Sequence, residues 1–103
     1  MKKSEIFREI MSIVCDCAEV NENDLLTPTK RSEEISSART VIIGLSKEYG
    51  LSNKQIQQSL RLRGHRSIYY HSSQFDVLSK NSRPFRYLLA SVRHELDKTF
   101  PTM

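Results

Sequence analysis

Leu51-Ser52-Asn53-Lys54-Gln55-Ile56-Gln57-Gln58-Ser59-Leu60-Arg61-Leu62-Arg63-Gly64-His65-Arg66-Ser67-Ile68 is the stretch that decides the fold. Ser52 followed three residues later by Gln55 is a capping box, and Leu51 and Ile56 stand at the two positions of a hydrophobic staple. A short helix is therefore expected from there to about Leu60 or Arg61. Arg63-Gly64 reads as a turn, and a second helix starts near His65. Its inward face would carry Ile68, Ser72, Phe75 and Leu78 or Ser79 at helical spacing. Residues 51–80 thus read as helix, tight turn, helix, with the length of a helix-turn-helix.

Outward from this stretch the apolar spacing stays helical, and no clean period-2 run appears. Downstream, Asn81-Ser82-Arg83-Pro84 breaks the chain, with Ser82 the N-cap and Pro84 tolerated in a first turn. A last helix then places Phe85, Leu88, Leu89, Val92 and Leu96 inward and stops before Pro101. Upstream, Ser32 caps a long helix with Glu33 and Glu34 in its first turn. Its core face would be Ile35, Ala38, Val41, Ile42, Leu45 and Tyr49, and Gly50 would end it in a left-handed conformation. Before it lie a basic loop at residues 27–31 and a short capped turn of helix at residues 21–26. The first helix is expected to start after Ser4 as N-cap and to end near Ala18 to Val20. It carries an apolar stripe of Ile6, Ile10, Val14 and Cys17, widened by Phe7, Met11 and Ile13. The fold class expected is all-α, a compact bundle of about five to six helices in one domain, residues 1–103.

Composition narrows the function. The chain has 103 residues, 38% hydrophobic and 27% charged, which suits one soluble globular domain and excludes a disordered one. No apolar run approaches the roughly 20 residues that span a bilayer, and no signal-peptide core follows the N-terminus. No membrane role is expected, and the expected location is the cytoplasm. Cys15 and Cys17, two apart on a helix, point to different faces and cannot easily bridge each other. No further ligands stand at a zinc spacing, so no metal and no cofactor is expected. There is no Gly-rich phosphate loop, no persuasive carboxylate pair and no nucleophile with a base. Tyr69, Tyr70 and His71 form no catalytic set. An enzyme, and nucleotide binding, are therefore not expected, and no catalytic residue is named.

The net charge of +4 conceals an asymmetry. Residues 1–51 carry seven Lys/Arg against nine Asp/Glu, whereas residues 52–103 carry nine Lys/Arg against three Asp/Glu. A basic half is the electrostatic footprint of a polyanion partner. The basic residues also crowd an unfavourable place. Arg63, His65 and Arg66 fall at the start of a helix, where the macrodipole is already positive and each cation costs about 0.3–1 kcal/mol. A DNA phosphate or a guanine edge would supply the missing negative charge. The alternative is a solvated basic helix end.

At this point the chain resembles a known family. Residues from about 5 to 97 are similar to the C-terminal DNA-binding domain of the bacterial replication initiator DnaA, which binds duplex origin boxes through a helix-turn-helix like that of the Trp repressor. The family signature runs approximately Ile-Gly-x-x-Phe-Gly-x-Arg-Asp-His-Ser/Thr-Thr-Val, and the chain has Ile56 through Ile68 at that spacing. Lys30-Arg31-Ser32-Glu33-Glu34-Ile35 and Ala38-Arg39-Thr40 resemble the family's basic loop and long helix. The resemblance implies double-stranded DNA as partner. It implies Arg31 in an A·T-rich minor groove, Arg39 and Lys54 on phosphates, and Arg63, His65 and Ser67 at the recognition end. Arg66 replaces a family Thr, and its natural major-groove partner is guanine. Tyr70 replaces a family His and is expected to reach a phosphate. Gly64 stands where the family has an Asp, and Gln57 and Arg61 stand where it has glycines. These departures predict duplex binding without requiring the family's standard origin box.

The bland readings are a solvated Lys54, an Arg39 paired with Glu34 or Glu48, a His71 packed with a polar contact, and core roles for Phe85 and Tyr87. Three functions follow: a stand-alone, nucleoid-associated DNA-binding protein tuning replication or transcription; a helix-turn-helix repressor acting as a homodimer; or a module that keeps the fold and binds a protein partner.

Overall fold

In a computed structural model the described residues, 2–27, 29–30, 32–62 and 64–100, form six helices and no strand. They are α1 (Lys3–Ala18), α2 (Glu22–Leu25), α3 (Glu33–Glu48), α4 (Asn53–Ser59), α5 (Arg66–Asn81) and α6 (Arg83–Thr99). The radius of gyration is 12.5 Å, close to the about 13 Å of a single 100-residue domain. The chain is an all-helical bundle of one compact unit, as the spacing of its apolar residues predicts.

α3 is the axis of that bundle. It packs against α1 on one flank and α5 on the other, with α2 and α4 at its ends, and α6 closes the layer against α1 and α5. Residues 38–46 of α3 are therefore buried without interruption, including Arg39, Thr40, Gly44 and Ser46. The one-sided core face read from the sequence is too narrow here, because a helix packed on several flanks needs no polar stripe. Ile10, Val14, Leu25, Ile42, Ile43, Ile56, Ile68, Val92 and Leu96 form the dry centre.

Local chemistry explains most boundaries. The hydroxyls of Ser32, Ser52 and Ser82 each accept from a first-turn amide, Ile35, Gln55 and Phe85 respectively. At Ser52 the box is reciprocal, since Gln55 Oε1 accepts from the Ser52 amide at 2.8 Å. Leu51 and Ile56, the staple pair, are both buried. Gly50 closes α3 at φ 90°, with the Leu51 amide reaching back to the Ser46 carbonyl. Ser4 is a correction. α1 begins two residues earlier, at Lys3, with Lys2 as N-cap and no capping side chain. Tyr87 is a second. It was expected in the core and is 69% exposed, whereas Phe85 is buried as expected.

Candidate nucleic-acid interface

α4 and α5 contact each other, and both rest on α3. The turn between them is built at the C-terminus of α4. The Leu62 amide donates to the Gln57 carbonyl at 2.9 Å and the Arg61 amide to the Gln58 carbonyl at 3.2 Å, the double closure of a Schellman motif. That motif puts Arg61 in the left-handed region, at φ 56°. The Gln57 side chain donates to the Leu62 carbonyl, so Gln57 supports the turn it enters. Gly64 faces open space, with nothing near the position of a Cβ.

α5 is fixed to α3 by three side-chain contacts along its length. Ile68 is fully buried. The Thr40 hydroxyl donates to the Ser36 carbonyl at 3.0 Å and lies 2.8 Å from His71 Nδ1. Thr40 has one proton to give, so the His71 Nδ1–H is the donor in that contact. Burial, and then the nearby Arg39 cation, push the His71 pKa down to about 4, so the imidazole is neutral at physiological pH. Further along, the Phe75 ring lies over Gly44, where a Cβ would overlap it, and Phe75 meets Phe85 edge to face at 5.9 Å. Lys47 Nζ donates to Ser72 Oγ at 3.3 Å.

The end of α5 nearest the turn carries the charged side chains. His65 is its N-cap residue and caps nothing with its side chain, and no acidic residue stands in the first turn. His65, Arg66, Ser67 and Tyr70 are exposed. Lys54, in the first turn of α4, is exposed as well, and that turn also lacks an acid. Two neighbouring helices thus begin with cations at their positive ends. Arg31 and Arg63 lie outside the described residues.

Arg39 departs from the role implied by the resemblance. It is 6% exposed, and its guanidinium donates to the carbonyls of Asp24, Leu25, Thr27 and Lys30 at 2.7–3.2 Å. Arg39 thus donates four hydrogen bonds to the end of α2 and the segment that links it to α3. These bonds commit the guanidinium to the protein's own backbone. The charge instead gathers the ends of four peptide dipoles and shapes the loop that carries Lys30. Glu48, one partner weighed for it, is held by Arg93 through two bonds of 2.9 and 3.0 Å.

Sequence reasoning missed three features of this surface: Tyr69 as an exposed ring at α5, Gly44 as the seat of Phe75, and the carbonyl clamp of Arg39. The first was legible, because Tyr69 falls on the same helical face as Arg66. The other two depend on which helices meet, which spacing alone does not reveal.

Elsewhere the chemistry is sparse. Cys15 is buried, and burial followed by Glu22 and Asp16 pushes its thiol up to about 11, which keeps it protonated and unreactive. Among the described residues no group of three or more His, Cys, Asp or Glu is placed to hold a metal ion. No helix among them is long and apolar enough to cross a membrane. A shallow groove between α1, α3 and α6 is lined by Cys17, Ala18, Glu33, Glu34, Leu88 and Tyr87 among others. No protein-family model matches the chain, and no curated protein and no solved structure matches it either.

Proposed function

We propose that this chain is a sequence-specific, double-stranded DNA-binding protein, similar to the origin-box-binding domain of DnaA and without its ATPase, that acts at the nucleoid to regulate replication initiation or transcription. The observation that carries the proposal is the start of α5. There His65, Arg66 and Ser67 are exposed at a helix N-terminus that has neither a capping side chain nor an acid. Such a terminus favours an anion from outside the chain. The order of α4, turn and α5, and the nine Lys/Arg against three Asp/Glu in residues 52–103, support the same reading.

In this mechanism Lys54 and Ser67 bind phosphates and set register, while Arg66 and His65 face base edges. Tyr70 lies beside them. Arg39 acts one step back, by shaping the loop that carries Lys30 towards the duplex. The test is selection on a randomised duplex library, followed by titration of the winning duplex at several salt concentrations. The expected outcome is a defined motif, with log K falling by about 0.9 per decade of salt for each phosphate contact. Salt-sensitive binding without a motif would remove the specificity. No binding at low salt would remove the function.

A further inference from the structure

Of the four large hydrophobic residues left exposed among the described residues, Tyr87 lies on α6, while Tyr69 at 60%, Tyr70 at 56% and Val77 at 45% belong to α5. An uncovered apolar surface on the helix that also carries the cations marks what the helix meets. At 100° per residue Tyr69 lies about 60° to one side of Arg66 around the helix and Tyr70 about 40° to the other, about 4.5 Å and about 6 Å further along the axis. Arg66 therefore points out between two rings. Each ring has an aromatic neighbour. The His65 ring meets Tyr69 edge-on, with centroids 6.4 Å apart at 86°. Tyr70 meets His71 at 5.1 Å and 74°, and His71 is itself buried and bonded to Thr40. Bracing of this kind removes part of the ordering cost of binding.

A major groove offers one apolar feature to such rings, the 5-methyl group of thymine, and offers an arginine the O6 and N7 of guanine. We propose that Tyr69 and Tyr70 are specificity-determining residues that take the 5-methyl groups of thymines flanking a guanine read by Arg66. The spacing suits this, since the axial offset of the rings from Arg66 is within two base-pair steps of about 3.4 Å. The inference rests on the duplex-binding reading above and deepens it by naming the bases that the helix selects. The charge around the rings favours a duplex over an apolar protein surface. Arg66 stands between them, and exposed Lys54 and Arg61 lie on the adjoining helix and turn.

The test separates this inference from the reading beneath it. Duplexes selected by the full chain from a randomised pool are remade with deoxyuridine at each thymine in turn, which keeps every hydrogen bond and deletes only the methyl. Affinity is expected to fall about fourfold for each contacted methyl. Tyr69→Phe and Tyr70→Phe keep that difference, because the ring carbons make the contact. Tyr69→Ser and Tyr70→Ser each abolish it at one thymine. Val77→Ser, further along the same helix, leaves it unchanged, and thermal unfolding of each variant confirms that the surface substitutions preserve the fold. Equal affinity for thymine and uracil duplexes in the unsubstituted protein would overturn the inference while leaving duplex binding intact, as would a difference that survives both serine variants. Failure to bind any duplex at low salt would overturn both.

Discussion

Arg61 occupies a position that the shape of the chain would give to glycine. The Schellman closure after α4 requires a left-handed residue, and Arg61 adopts φ 56° to supply it. For a residue with a Cβ that conformation costs about 1–2 kcal/mol. Gly50, at the equivalent place after α3, bears no such cost at φ 90°. Arg61→Gly is therefore expected to raise stability by about 1 kcal/mol, read as a higher urea midpoint at unchanged slope. An unaltered midpoint would mean that the arginine stem offsets the strain by packing. Arg66 carries a different conflict. As a cation in the first turn of α5 it opposes the helix dipole, so Arg66→Ala should stabilise the free protein by a few tenths of a kcal/mol. The same substitution should relax duplex specificity at one position and cost about 1–3 kcal/mol there. Uniform weakening on all sequences would refute its base-reading role. Opposite signs for folding and binding at one residue are the signature of a group retained for its ligand.

At the scale of the element, the question is what holds α5 and the 24–30 segment in place. Both depend on α3. Gly44 lets Phe75 lie directly on the α3 backbone, and the overlap that a Cβ would create reaches the base of the ring as well as its edge. Ring rotation alone does not clear it. Gly44→Ala gains about 1 kcal/mol of helix propensity, but forced overpacking costs about 1–3 kcal/mol. A net loss of stability is expected, together with weaker duplex binding because α5 is displaced; a rise in the thermal midpoint would contradict the close contact. Arg39→Lys separates a clamp from a phosphate ligand. A lysine keeps the charge but has three donors on a single nitrogen, too few to satisfy four carbonyls spread over residues 24–30. Each carbonyl left unpaired costs about 1–3 kcal/mol. Arg39→Lys should thus lower stability in the absence of DNA, an effect that a mere phosphate contact would not produce.

These elements also mark how far the sequence could be read. Every serine cap but the first, the capping box, the staple at Leu51 and Ile56 and the glycine stop at Gly50 were legible, because each is decided within one turn of chain. The exposed cations at the start of α5 were legible for the same reason. Ser4 was misread because α1 begins at Lys3 without a capping side chain, so nothing local announced its start. Arg39 and Gly44 were not legible, since their surroundings are set by contacts 9 to 31 residues away, Arg39 to Lys30 and Gly44 to Phe75. A helix wheel drawn on α3 alone gives one buried face, whereas the assembled bundle buries several.

The whole molecule answers to pH through a residue that belongs to the packing of α3 and α5. His71 is buried as the neutral imidazole, and its pKa is about 4 in the fold against an ordinary 6.5. The unfolded chain therefore binds a proton that the native state refuses throughout the interval between those values. Stability is complete above about pH 6.5 and declines as pH falls towards 4, by as much as about 3 kcal/mol across the window. The comparison is internal, between two proteins that differ only at this residue. His71→Asn keeps a donor close to the place of Nδ1 and removes the titration. The difference in unfolding free energy between the two proteins should be largest above pH 6.5 and shrink steadily to pH 4. Because His71 braces Tyr70 and anchors α5 on Thr40, the acid side of this curve should loosen α5 together with the rest of the bundle. Hydrogen exchange of the α5 amides should therefore quicken with falling pH in parallel with global unfolding. A pH-independent difference between the two proteins would place the lost stability in packing and remove the proton from the account.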